Sequence, residues 1–156
     1  MSSLSDLLDE AIAIEYNTAE LYSLYSECFP KDREFWKGLS REETIHGQLI
    51  DSAKRYIPEL SVVVIDNNYE MMKLVNDSVR ENIDEYRRML KNGKKINRFD
   101  AYFFAVSLED SSQEEHYHNM IVGNYDQIII DIFRELNGGD IDHKKRIYEN
   151  YVRGKE

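Results

Sequence analysis

Apolar positions recur at three- and four-residue steps along five stretches of this 156-residue chain, the period of helices with one buried face. Leu4, Leu7, Leu8, Ala11, Ile14, Thr18, Tyr22 and Tyr25 mark a first segment, about 4–28. Pro30 makes a turn, and Phe35, Leu39, Glu43, His46, Ile50, Ala53 and Ile57 step along a second segment that Pro58 ends. From about Tyr69 to Leu90 a further amphipathic helix shows Met72, Val75, Val79, Ile83, Tyr86 and Leu90, with Asn92-Gly93 as its stop. A segment over about 97–122 presents Tyr102, Ala105, Glu109, Ser112 and His116, and Gly123-Asn124 turns the chain again. The last segment carries Ile129, Ile132, Phe133, Leu136, Asp140, His143 and Ile147. Residues 59–68 read as irregular, with Val62-Val63-Val64-Ile65 extended against the bundle.

Four of these apolar seams are interrupted by an acid. Glu15 and Glu109 stand alone, Glu43 is followed three residues on by His46, and Asp140 by His143. Burying carboxylates costs several kcal/mol unless they are paired or neutralised, so the pattern asks for a chemical cause. One acid from each of two helices, with acid-x-x-His from each of the other two, is the ligand set of a two-metal site inside a four-helix bundle. Spacing agrees. At about 1.5 Å per residue, all four acids fall roughly 20–24 Å from their hairpin turns, so each pair can meet at mid-bundle. The charge of four carboxylates is balanced by two divalent cations, and mixed carboxylate and imidazole ligands suit iron or manganese.

The halves of the chain also echo each other, with Ala11-Ile-Ala-Ile-Glu15 matching Ala105-Val-Ser-Leu-Glu109. The expectation is a single all-α domain: hairpin one at about 4–58, a crossover with its own helix at about 59–96, and hairpin two at about 97–153. Two antiparallel hairpins joined by a long crossover form a ferritin-like four-helix bundle.

Composition narrows the function. A net charge of −10 argues against nucleic acid or an anionic membrane as partner. The single cysteine, Cys28, excludes a disulfide framework within the chain and any four-cysteine metal centre; it reads as an incidental thiol. Neither a signal peptide nor a membrane span is visible, and the expected location is cytoplasmic.

At Glu15-x6-Tyr22, Phe35…Leu39…Glu43-x-x-His46 and Leu108-Glu109 the chain resembles the rubrerythrin branch of the ferritin-like superfamily, over about residues 5–57 and 100–150. The resemblance implies a di-iron or di-manganese centre that reacts with peroxide or dioxygen. Glu15, Glu43 and His46 would bind one side, Glu109, Asp140 and His143 the other, and Tyr22 would stand just behind them. No catalytic residue beyond these ligands is implied. Three departures stand out: Asp140 where the family has Glu, Ser112 where it has a further Glu, and no cysteines for a rubredoxin-type iron centre. Electrons would have to come from a separate donor.

Alternatives remain open at this point. Gly138-Gly139 costs about 2 kcal/mol within a helix relative to two alanines. Asp140 is therefore either the N-cap of a restarted helix or a ligand aimed by a local bulge. His116 reads as a core histidine, and Glu115 with His118 as solvated surface. The rival functions are a helical bundle that binds metal without turnover, an interaction module, and a storage cage. An exposed face of the crossover helix suits a homodimer.

Overall fold

The computed structural model describes residues 4–56, 66–113 and 127–154. Among these the elements are α1 (Leu4–Cys28), a 3-10 turn (Pro30–Asp32), α2 (Arg33–Tyr56), α3 (Asp66–Lys91), α4 (Arg98–Gln113) and α5 (Gln127–Arg153), all helical. None of the described helices is long and apolar enough to cross a membrane. The run at Val62–Ile65, the turn at Gly123-Asn124, and His116, Glu115 and His118 lie outside the described residues, as does the Ser112 side chain.

Local chemistry sets the helix ends. Pro30 opens the 3-10 turn after Phe29, where its missing N–H goes unnoticed. Past α3, Gly93 adopts φ +73° and the Lys94 N–H donates to the Met89 carbonyl at 2.9 Å. That is a left-handed helix stop, which glycine adopts without a Cβ penalty. The Asn97 side chain then accepts the Asp100 N–H at 3.2 Å and caps α4. α5 runs unbroken through Gly138-Gly139, which removes the reading of Asp140 as the N-cap of a restarted helix.

Cross-helix pairs give the topology. Asp9 pairs with Lys54, Glu15 with His46, and the Ala19 carbonyl with Ser40, so α1 and α2 are antiparallel. Tyr102 meets Asn150 and Asp110 meets Lys144, so α4 and α5 are antiparallel too. Asp32 meets Asn150 while Glu43 meets His143, which sets α2 against α5 in opposite senses. It follows that α2 and α4 run the same way. Such a pair needs a connection that travels back the length of the bundle, and α3 supplies it. α3 runs parallel to α1, held by Asn76 to Glu10 and by Arg80 and Arg87 to Glu20.

One core joins all five helices. Leu21, Tyr22 and Tyr25 of α1, Trp36 and Leu39 of α2, and Val79 and Ile83 of α3 pack with Tyr102 and Ala105 of α4 and Ile147 of α5. Trp36, passed over in favour of Phe35 by the sequence periodicity, is fully buried, whereas Phe35 is half-buried. On α3 the expected Leu90 is exposed and Met89 turns inward instead.

Candidate metal centre

Four helices bring ionisable side chains to one place in this core. Glu15, Glu43, Glu109 and His143 are 3, 2, 2 and 1% exposed, and His46 is mostly covered. The helical period explains why: each follows apolar neighbours at three or four residues on the buried face of its helix. The Asp140 side chain lies outside the described residues.

Glu43 is the hub. Its Oε2 lies 3.3 Å from His46 Nδ1, and its Oε1 lies 2.8 Å from His143 Nδ1. The remaining carboxylates take the flanks, with Glu15 Oε2 3.6 Å from His46 Nδ1 and Glu109 Oε1 3.8 Å from His143 Nδ1. The two imidazoles stack with their centroids 5.4 Å apart, 19° from parallel. Ligand atoms of Glu43, His46 and His143 all lie within 4.8 Å of one another, a group able to hold a metal ion.

Electrostatics show what this packing costs. Burial first, and then the charge of Glu15, pushes the Glu43 carboxyl well above its usual range. Glu109 is pushed the same way by burial and by Glu43. Burial opposes charge on His46, but hydrogen bonds with Glu15 and Glu43 outweigh it and hold the imidazole up to about 11. The metal-free cluster therefore keeps protons that free side chains would have lost at neutral pH.

Two residues outside the cluster orient it. The Tyr22 hydroxyl, raised by burial and by Glu109, stays protonated and donates to Glu109. Glu42, which the sequence reading missed, lies 2.8 Å from His143 Nε2. Arg146 grips Glu42 with both guanidinium nitrogens, at 2.8 and 3.0 Å, and holds its carboxyl at about 2. An ionised carboxylate only accepts, so His143 Nε2 donates to Glu42. With Nε2 committed to Glu42, His143 turns its Nδ1 toward Glu43 and Glu109.

The donors are carboxylate oxygen and imidazole nitrogen, a set that can hold a metal ion. Set beside protein-family models, curated proteins and solved structures, the chain matches none.

Proposed function

We propose that this chain is a ferritin-like di-metal carboxylate protein of the rubrerythrin kind. It holds two iron ions, or manganese, and performs redox chemistry with peroxide or dioxygen. Glu15, Glu43 and His46 would hold one ion and Glu109 and His143 the other, with Asp140 expected from the sequence to join the second set. The observation that carries the reading is the position of Glu43, whose two oxygens each face the Nδ1 of a different histidine. A carboxylate so placed would offer one oxygen to a cation beside each histidine. The bundle topology adds support, with α2 and α4 in the same sense and α3 returning between them.

When bound, such a pair supplies one electron from each ion to the oxidant. Glu42 and Arg146 fix His143, Tyr22 fixes Glu109, and the surrounding apolar core keeps water away. With a single cysteine the chain has no rubredoxin-type relay of its own, so a separate electron donor is required.

The test begins with metal analysis of protein purified without chelators and loaded anaerobically with iron. Two ions per chain, with anomalous scattering between α1, α2, α4 and α5, is the expected result. A stoichiometry well below two overturns the reading. Oxidation of the loaded centre by hydrogen peroxide faster than by buffer alone then separates redox turnover from metal binding without turnover.

A further inference from the structure

We propose that Tyr22, Trp36, Tyr102 and Tyr151 form a relay that carries one-electron oxidising equivalents from the buried centre to the surface. The proposal rests on the metal reading above and adds a route that the reading does not require. Ring centroids step from Tyr22 to Trp36 at 5.2 Å, from Trp36 to Tyr102 at 4.8 Å, and from Tyr102 to Tyr151 at 5.3 Å. Tyr22 touches the centre through its hydrogen bond to Glu109, and it is fully buried together with Trp36. Tyr151 is partly exposed on the last turn of α5. A side branch through Tyr25 ends at Tyr86, only 8% exposed, so the Tyr151 arm is the way out.

Proton partners follow the same line. A tyrosine gives up an electron at accessible potential only if its phenolic proton has somewhere to go. Tyr22 has Glu109. The Tyr102 hydroxyl accepts from Asn150 Nδ2 at 2.6 Å, and the neighbouring Asp32 carboxylate accepts from the same Nδ2 at 3.3 Å. Trp36 Nε1 is buried with no hydrogen-bond partner among the described residues, so oxidised Trp36 keeps its proton and is only a transit point. The Arg98 guanidinium lies 4.5 Å above the Tyr102 ring and 5.0 Å from that of Tyr151. A fixed cation there disfavours a second positive charge, so these two rings are oxidised with loss of a proton.

The steps balance. Tyr22 loses an electron to the oxidant while its proton stays within the hydrogen bond to Glu109. Trp36 then returns an electron to Tyr22, and the proton in that hydrogen bond settles back on the phenol. Tyr102 reduces the Trp36 radical cation and passes its own proton to Asp32. Tyr151 reduces Tyr102, which recovers its proton from Asp32, and releases a proton to solvent. A small one-electron reductant, a thiol or an ascorbate-like enediol, restores the electron and proton at Tyr151. Two such passages deliver the two electrons, and solvent the two protons, that turn one hydrogen peroxide into two waters.

The experiment loads the full chain with iron, records metal content, and adds hydrogen peroxide with a nitroso spin trap. Radicals are followed by electron paramagnetic resonance and adducts by peptide mass spectrometry. The expected result is an adduct on Tyr151 that falls, in Trp36→Phe, to the level of metal-free protein, with a longer-lived tyrosyl signal left on Tyr22. Tyr102→Phe, which keeps the ring packing, gives the same loss and serves if Trp36→Phe folds poorly. An undiminished Tyr151 adduct in either variant with normal metal content overturns the relay. Failure of the wild-type chain to take up iron overturns the centre from which it starts, and the relay with it.

Discussion

Glu42 and His143 are joined at 2.8 Å through Nε2, and this bond leaves Nδ1 of the same ring facing Glu43 and Glu109. The two residues are 101 positions apart, on α2 and α5, and Arg146 one turn further along α5 holds Glu42 by a two-pronged contact. A carboxylate behind a metal-binding imidazole fixes its tautomer and raises its basicity, and losing it typically weakens metal binding about 10–100-fold. Glu42→Gln is expected to fall within that range in a chelator competition, with the fold intact. Arg146→Ala should move affinity the same way, because it frees Glu42. Unchanged affinity in both variants would mean that His143 is not a ligand.

Glu43 should respond with opposite signs in the two states of the protein. Without metal its carboxyl is buried against Glu15 and kept protonated, so Glu43→Gln replaces an acid whose ionisation the fold resists with an amide that cannot ionise. The metal-free variant is expected to melt at or above the temperature of the parent near neutral pH. With metal the order reverses. A ligand present at about a hundred times its Kd stabilises the parent by about 2.7 kcal/mol, and the variant should lose most of that gain. Thermal melts with and without manganese, which avoids oxidation during heating, check both halves. A variant that gains as much from metal as the parent would remove Glu43 from the site.

The raised carboxyls also give a pH dependence of definite sign. Folded metal-free protein holds protons on Glu43 and Glu109 that the unfolded chain releases above about 4.5. Their stabilising contribution is full below that value and is lost as pH rises through the raised folded values. His46 acts in the same direction, full below about 6.5 and lost toward about 11. Glu42 acts oppositely, losing its contribution as pH falls from about 4.5 toward about 2. Metal-free protein should therefore melt lower at about pH 8 than at about pH 6, while the stabilisation by metal grows over the same interval. Self-repulsion of an acidic chain would add to the first trend, so the slope must shrink in Glu43→Gln to be assigned to the cluster. A slope that does not shrink would place those protons elsewhere.

How far the sequence could be read depended on whether a feature is local. The α1 span, Leu4–Cys28, and the stop at Asn92-Gly93 were legible because period, proline and glycine act within a few residues. Glu15, Glu43, His46, Glu109 and His143 were legible because an ionisable group on an apolar face breaks a pattern, and the bundle brings all five together. Glu42 was not, since it lies beside the seam on an ordinary charged stretch and has meaning only through α5. Asn76 was hidden for the same reason: one buried amide on α3, bonded to Glu10 and Asn17 more than fifty residues away. Periodicity revealed that α3 buries one face, but the identity of its neighbour, α1, follows from chain reversal and not from any local signal. Trp36 lost to Phe35 because adjacent aromatics fit a helical seam equally well, and volume decides which one fills the core.

Gly93 allows the fold and the centre to be tested apart. Its φ of +73° ends α3, lets Lys94 close back on Met89, and turns the chain toward the Asn97 cap of α4, the helix that carries Tyr102 and Glu109. A Cβ there meets no neighbour within 4 Å, so the penalty for alanine is one of backbone conformation alone. Left-handed geometry costs a non-glycine residue roughly 1–2 kcal/mol, and Gly93→Ala is expected to lose that much in denaturant melts. Gly93→Asn should recover part of the loss, because asparagine tolerates this region better. Metal stoichiometry should stay at the parent value in both, since the turn lies far from Glu43 along the bundle. If Gly93→Ala lost metal while remaining folded, the seating of α4 would depend on this turn, and the carboxylate of Glu109 would be the first ligand to examine.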